Sequence, residues 1–269
     1  MESNENLQPK TDLNQEKDEN NTEETATNTE DSLSEGADNT SLTSFVPESR
    51  LKLQHFQNKV EAVKQEVGKM IIGQHQLIDQ ILLAIFSRGH VLLEGVPGIA
   101  KTMTSKVISK TLSVDYSRIQ FTPDLMPSDV LGTSIYNVKT SEFTYKKGPV
   151  FSNIVLIDEI NRSPAKTQAA LFEIMEERQV TNDGIKYKMD PPFFIMATQN
   201  PIEQEGTYRL PEAQLDRFIF RIKLEYPSFQ EEVDILKRFK NSIRDVSFDQ
   251  INSILSAAEI EEFQGLIEE

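Results

Sequence analysis

Short apolar segments alternate with helical patterns along the middle of the chain. Apolar side chains spaced by three and four residues predict amphipathic helices over 51–68 and 74–88. Further helices are predicted over 100–112 and 164–178. Between and after them lie mainly apolar segments typical of buried strands, at 91–93, 118–121, 154–157, 193–197 and 218–224. Buried strands that alternate with helices indicate an α/β fold with a parallel sheet covered on both faces.

Two segments interrupt this alternation. Residues 122–150 carry several prolines and glycines between β-rich stretches, and residues 179–190 read as a hairpin whose turn is 182–184, Asn-Asp-Gly. After the last strand, Ser228 and Glu231 have the spacing of a capping box and predict the start of a helix. Insertions into an α/β core are commonly functional loops or packing elements, and both readings stay open for these segments.

Charge and composition divide the chain. Residues 1–44 hold 12 acidic and 2 basic side chains, whereas 45–255 hold 26 of each sign. We therefore predict a disordered acidic tail over 1–44, a folded α/β core over 45–226 and the beginning of a second, helical region over 227–269. In that last region Ser256 and Glu259 repeat the capping-box spacing.

Composition also excludes several classes of protein. Cysteine is absent, which excludes disulfides, thiolate metal sites and a cysteine nucleophile. The three histidines share no ligand spacing, and no apolar run is long enough to cross a bilayer. The chain opens with acidic and polar residues rather than a signal peptide. We expect a cytoplasmic protein with no membrane insertion.

The strongest chemical signal is HVLLEGVPGIAKT at 90–102, a predicted strand, a glycine-rich turn and a helix start. A phosphate-binding P-loop has this arrangement, with backbone N–H groups around the phosphates. Lys101 is expected to contact the β and γ oxygens, and Thr102 to bind Mg²⁺. Ala100 stands where the strict pattern has glycine. The candidate nucleotide-binding residues here are Gly95, Val96, Pro97, Gly98, Ile99, Ala100, Lys101 and Thr102.

Two later strands end in polar residues. The segment NIVLIDEINR places Asp158 and Glu159 at the end of a buried strand, and FFIMATQN places Asn200 just after another. Burying two carboxylates for structure alone is unfavourable, so the pair favours chemistry. Asp158 is expected to hold Mg²⁺, Glu159 to act as general base on the attacking water, and Asn200 to orient that water. Together with the P-loop, these strand ends predict an ATP site at one edge of one sheet.

Long strings in the sequence resemble the MoxR family of AAA+ ATPases over about residues 52–240. They are GQ at 73–74, HVLLEGVPGIAKT, IQFTPDLMPSD, DEINR, KTQAALFEIMEERQVT, ATQNPIEQEGTY and LPEAQLDRF. The resemblance implies an AAA+ core sheet of strand order 5-1-4-3-2, assembly into a ring, usually hexameric, and ATP at each subunit interface. It also implies a complete helical lid, of which this chain would contain only the start.

The resemblance assigns further residues. Lys101 and Thr102 match Walker A, Asp158 and Glu159 match Walker B, and Asn200 matches sensor 1. Arg217, in LDRF, matches the arginine finger that reaches a neighbouring subunit's γ-phosphate; the alternative for it is a salt bridge beside Asp216. Ile72 and Gly73 match the stretch lining the adenine pocket. Arg162 is a candidate interface residue, with a capping or packing role as the alternative.

The function that the resemblance implies is an ATP-driven chaperone or remodeller that matures or activates other protein complexes. Members of the family often work with proteins containing von Willebrand factor A domains. One alternative is a DNA-acting helix-2-insert motor, although the neutral charge of 45–255 argues against nucleic-acid binding. Another is a nucleotide-sensing module without hydrolysis, against which Asp158 and Glu159 argue.

Overall fold

The computed structural model describes residues 48–95, 101–200, 207–224, 226, 228–242 and 248–268. All of these residues belong to the unit Val46–Glu269. The predicted acidic tail 1–44 and the P-loop residues 96–100 lie outside the described residues. No helix in the described part of the chain is long and apolar enough to cross a membrane.

A parallel sheet organises the described residues. Its five strands are β1 (Val91–Glu94), β2 (Tyr116–Gln120), β5 (Ile154–Asp158), β8 (Phe194–Gln199) and β9 (Phe220–Lys223). They lie in the order β2-β5-β8-β1-β9, with every neighbouring pair parallel. Numbered among themselves along the chain and read from β9, these strands give the order 5-1-4-3-2, which confirms the predicted AAA+ topology.

Helices cover both faces of this sheet. The described helices are α1 (Glu48–Gly68), α2 (His75–Phe86), α3 (Lys101–Thr111), α4 (Pro127–Leu131), α5 (Ala165–Glu177), α6 (Glu212–Leu215), α7 (Phe229–Ser242) and α8 (Ala257–Glu268). Alternate residues of each inner strand enter opposite apolar clusters: Leu156 packs with α1, α2 and α3, whereas Val155 and Ile157 pack with α5. These three inner strands lack a polar face because both of their faces are buried.

The two interrupting segments form antiparallel hairpins outside the main sheet. Strands β3 (Gly132–Asn137) and β4 (Glu142–Lys147) pair with each other, as do β6 (Gln179–Asn182) and β7 (Ile185–Lys188). The second hairpin turns through Asp183 and Gly184, whose φ angles are 51° and 77°. Two positive φ angles are what a tight hairpin turn requires, so the predicted turn is confirmed.

The C-terminal part of the chain has both predicted capping boxes. The Ser228 N–H donates to Glu231 at 2.8 Å at the start of α7, and the Ser256 N–H donates to Glu259 at 2.9 Å at the start of α8. Helix α8 packs on α2 through Phe263, which belongs to the same apolar cluster as β1. The separation of core and lid at residue 227 stays a prediction.

Candidate nucleotide-binding site

The P-loop strand and its lysine meet at the carboxyl end of the sheet. Strand β1 ends at Glu94, and Lys101 begins α3. The Lys101 ammonium donates to the Gly95 carbonyl oxygen at 3.0 Å, and the Gly95 N–H donates to the Gln199 carbonyl oxygen at 3.3 Å. These two hydrogen bonds join the start of the loop to its lysine and to the neighbouring strand β8.

Lys101 also lies within the electrostatic reach of both predicted carboxylates. Burial lowers the pKa of Lys101, and the negative charges of Asp158 and Glu159 oppose part of that shift. The structure therefore brings Lys101 near two adjacent acidic residues that follow it by more than fifty positions in the sequence. A half-buried ammonium near two carboxylates at a sheet's carboxyl edge is typical of a phosphate and metal site.

Asp158 ends the buried strand β5 and is itself buried. Its Oδ2 accepts a hydrogen bond from Arg118 Nε at 2.6 Å, and its Oδ1 accepts one from the Thr198 hydroxyl at 3.3 Å. Thr198 lies on β8 and also accepts the Glu159 N–H at 3.1 Å. Its hydroxyl thus links the side chain of Asp158 to the backbone of Glu159.

Glu159 has a left-handed backbone conformation, with φ 57° and ψ 50°, which turns the chain out of β5 into a short 3₁₀ turn. Its carboxylate forms an ion pair with Arg162 Nε at 2.9 Å. Few non-glycine residues adopt this conformation, and those that do are often found at functional sites. Arg162 thus contacts the predicted general base, and its roles at an interface or in capping or packing stay predictions.

The remaining predicted residues lie on three further parts of the chain. Asn200 follows β8, the strand between the P-loop strand and the Asp158 strand. Thr102 is half-buried in the first turn of α3, where its carbonyl oxygen accepts the Ser105 hydroxyl. Ile72 and Gly73 lie between α1 and α2; Gly73 has φ 78°, and a Cβ there would collide with the Glu231 carboxylate of α7.

Arg217 precedes β9 and is partly exposed. It forms an ion pair with Glu176 of α5, not with the adjacent Asp216 that was considered as its partner. Exposed ion pairs of this kind contribute little free energy, so Arg217 can exchange this partner for another. Val96, Pro97, Gly98, Ile99 and Ala100 lie outside the described residues.

The described residues contain no group of three or more His, Cys, Asp or Glu that could hold a metal by themselves. A hydroxyl and one carboxylate, as in Thr102 and Asp158, are nevertheless hard oxygen donors. Mg²⁺ in nucleotide sites takes one or two such protein ligands and completes its shell with water and phosphate oxygens. The donor chemistry of these two residues therefore fits a nucleotide-bound magnesium ion.

Sequence reasoning missed four residues of this region that form ion pairs or hydrogen bonds. Arg118 pairs with Asp158, and Arg221 on β9 pairs with Glu94 at 2.7 Å, while Gln199 donates to the same Glu94 oxygen at 2.7 Å. The available signal was a charged or polar side chain within a predicted strand or at its end. Their partners could not be identified before the strand order and register were known.

Comparisons with known proteins agree with this arrangement. Residues 90–220 match the family described as ATPase family associated with various cellular activities (AAA). The chain is 49% identical over 201 residues to Chaperone MoxR1 of Mycobacterium tuberculosis, covering 75% of this chain and 52% of that protein. It is 55% identical over 172 residues to the uncharacterized protein YeaC of Bacillus subtilis, covering 64% and 54%.

A solved structure is similar over a longer part of the chain. It is a crystal structure of a proposed ATPase from Cytophaga hutchinsonii, 48% identical with a TM-score of 0.73, covering 81% of this chain and 65% of that chain. The chain spans about half the length of the curated relatives it matches.

Proposed function

Because the chain belongs to the MoxR family of AAA+ ATPases, we propose that it binds ATP with Mg²⁺ at the carboxyl end of its sheet and hydrolyses it. The observation that carries this proposal is the position of the Lys101 ammonium, bonded to the Gly95 carbonyl and near the charges of Asp158 and Glu159. The cation that would bind the phosphates, the carboxylate that would bind the metal ion and the carboxylate that would activate the water therefore lie close together.

Each residue has a distinct task in the proposed reaction. Lys101 binds the β- and γ-phosphate oxygens, and Glu159 accepts a proton from the water that attacks the γ-phosphorus. Asn200 orients that water. A magnesium ion held by Thr102 and Asp158 would neutralise charge on the phosphate oxygens. The products are ADP and inorganic phosphate.

We further propose that Arg217 acts on the γ-phosphate of a neighbouring copy in a ring, usually hexameric in this family. Its support is the exposed, exchangeable ion pair with Glu176. An arginine supplied by a neighbour stabilises the charge of the transition state and contributes roughly 10³–10⁵ in rate. This arrangement makes hydrolysis depend on assembly.

The cellular role that we propose is a cytoplasmic chaperone or remodeller that matures or activates other protein complexes. A protein with a von Willebrand factor A domain is the expected partner. The name of the relative Chaperone MoxR1 supports this class of function. The DNA-acting alternative predicts salt-sensitive binding of duplex DNA, whereas residues 45–255 carry equal numbers of acidic and basic side chains.

Nucleotide binding tests the proposed site directly. Titration calorimetry of the 269-residue chain with Mg·ATP should show that Lys101→Ala weakens binding at least tenfold, since a charge-assisted hydrogen bond contributes roughly 1.5–3 kcal/mol. Lys106→Ala removes an exposed lysine from the same helix and is the matched control. Equal affinities for all three proteins would refute the P-loop assignment.

Subunit mixing tests the proposed finger. Arg217→Ala should bind Mg·ATP like the wild type and hydrolyse it poorly, and Glu159→Gln should behave in the same way. Mixed rings would contain interfaces that combine an intact Glu159 with a neighbour's intact Arg217, so mixing should restore part of the phosphate release. No gain over either variant alone would exclude action between subunits.

A further inference from the structure

Arg118 forms an ion pair with the strand-end carboxylate Asp158. Strand β2 lies at one edge of the sheet and pairs in parallel with β5, where Arg118 stands opposite Leu156. Its side chain extends two residues further along β5, so that Nε lies 2.6 Å from Oδ2 of Asp158. The arginine side chain is 48% exposed and the aspartate side chain is 10% exposed. The guanidinium thus covers a carboxylate that has little access to water.

The chain by itself engages both oxygens of Asp158. Oδ2 accepts from Arg118, and Oδ1 accepts from the Thr198 hydroxyl. A guanidinium beside a carboxylate cancels much of the negative potential that would attract a divalent cation, and it repels that cation directly. A nucleoside triphosphate brings several negative charges of its own. Their attraction for a divalent cation exceeds the repulsion by one guanidinium.

We propose that Arg118 is a positioning residue that sets the divalent-cation affinity of Asp158. Its ion pair keeps that affinity low until nucleotide phosphates are present, so that the cation enters together with the nucleotide. This inference rests on the proposed function, since it requires Asp158 to contribute to the metal site. Arg118 itself contacts neither the phosphates nor the reacting water in this scheme.

A second ion pair of the same geometry supplies a matched control. Arg221 on the opposite edge strand, β9, stands opposite Leu92 and reaches Glu94 two residues along β1 at 2.7 Å. Its side chain is 50% exposed and that of Glu94 is 8% exposed. Replacing Arg221 therefore removes the same charge from the same kind of position, without changing the neighbour of Asp158.

Electron paramagnetic resonance of free Mn²⁺ measures cation binding by the full chain without reference to turnover. Without nucleotide, Arg118→Gln should bind Mn²⁺ about tenfold more tightly than the wild type. An adjacent arginine commonly stabilises the charged form of an aspartate by at least that factor, and Mn²⁺ must compete with this interaction. Arg221→Gln should bind Mn²⁺ like the wild type. Adding Asp158→Asn to Arg118→Gln should abolish the gain.

The outcomes separate this inference from the proposed function. Binding of Mn·ATP that requires Asp158, combined with unchanged Mn²⁺ affinity in Arg118→Gln, would overturn the role of Arg118 alone. Binding of Mn·ATP that does not depend on Asp158 would overturn both proposals. Circular dichroism checks the fold of each variant. If Arg118→Gln does not fold, Arg118→Met keeps the aliphatic stem, and the same tenfold tightening is expected.

Discussion

The two edges of the sheet carry the same kind of arginine–carboxylate ion pair in different surroundings. At each edge, a half-exposed arginine on the outer strand reaches two residues along the next strand to a buried carboxylate: Arg118 to Asp158 at one edge and Arg221 to Glu94 at the other. Both carboxylates stand at the carboxyl end of their strands. Geometry alone would assign the two acids the same role.

Their other neighbours differ. Asp158 shares the Thr198 hydroxyl with the Glu159 backbone and lies near the Lys101 ammonium. One oxygen of Glu94 receives the neutral amide of Gln199 in addition to both Arg221 donors. Two cations, Arg118 and Lys101, therefore lie near Asp158, whereas Glu94 contacts one cation and a neutral amide. We infer that the second cation distinguishes the proposed metal-binding carboxylate from a carboxylate that only links strands.

The largest expected difference between the edges is in turnover. Asp158→Asn should lower the kcat for Mg·ATP hydrolysis about 100-fold, because the neutral amide is a poor partner for a magnesium site. Glu94→Gln should lower it less than about fivefold, because the amide keeps the shape of a residue that only joins strands. Steady-state phosphate release gives kcat and KM for both variants. Equal losses would mean that Glu94 shares in the chemistry.

The buried His90 precedes β1 and makes the stability of the middle of the sheet depend on pH. Its Nδ1 accepts the Ile195 N–H at 3.0 Å, its Nε2 lies 3.3 Å from the Met175 carbonyl oxygen, and burial lowers its pKa to about 4. Between pH 6.5 and 4 the unfolded chain therefore binds a proton that the folded chain excludes. This residue should reduce the free energy of unfolding by about 3 kcal/mol across that interval.

Urea unfolding at pH 7 and pH 4 measures this effect. The loss of stability on acidification should be smaller in His90→Gln than in the wild type by about 3 kcal/mol. His75→Gln removes an exposed imidazole and is the control for the substitution. The same loss in the wild type and His90→Gln would contradict the assignment.

Replacing the two arginines should lower the free energy of unfolding by modestly different amounts. Arg221→Gln leaves the Glu94 carboxylate buried with only a neutral amide, and should cost about 2 kcal/mol at pH 7. Arg118→Gln should cost about 1 kcal/mol, because the Lys101 charge still balances part of that of Asp158. Urea unfolding of both variants tests the order. A larger cost for Arg118→Gln would mean that Lys101 does not compensate.

The smallest expected effect belongs to Thr198, between the two edges. Thr198→Val keeps the shape of the side chain but removes a hydroxyl that accepts the Glu159 N–H and donates to Asp158. We expect a loss of about 1 kcal/mol in stability, together with a kcat several-fold lower and a KM nearly unchanged. An unchanged kcat would show that this hydroxyl does not position the acids.

The sequence predicted local features well. Short apolar segments located all five strands of the parallel sheet, and the Asn-Asp-Gly turn and both capping boxes depend only on neighbouring residues. Lys101, Asp158 and Glu159 were identifiable because a P-loop and a paired acid have strong local patterns. The strand order followed from the family resemblance rather than from the pattern.

Long-range ion pairs could not be predicted in the same way. Whether Arg118 meets Asp158 depends on which strands are neighbours and on a diagonal register of two residues. Within the chain, Arg217 pairs with Glu176 on a separate helix rather than with the adjacent Asp216, and its action on a neighbouring copy stays a prediction. The sequence separation of these partners, 40 positions or more for each pair, carries no information about their distance in the fold.

Phosphate release from Mg·ATP, measured for the wild type and Glu159→Gln over a range of protein concentrations, tests whether assembled subunits hydrolyse ATP through Glu159. We expect the wild-type specific activity to rise with concentration as subunits assemble, and Glu159→Gln to bind Mg·ATP yet show almost no turnover at any concentration. Turnover by Glu159→Gln at the wild-type rate would show that the general base lies elsewhere.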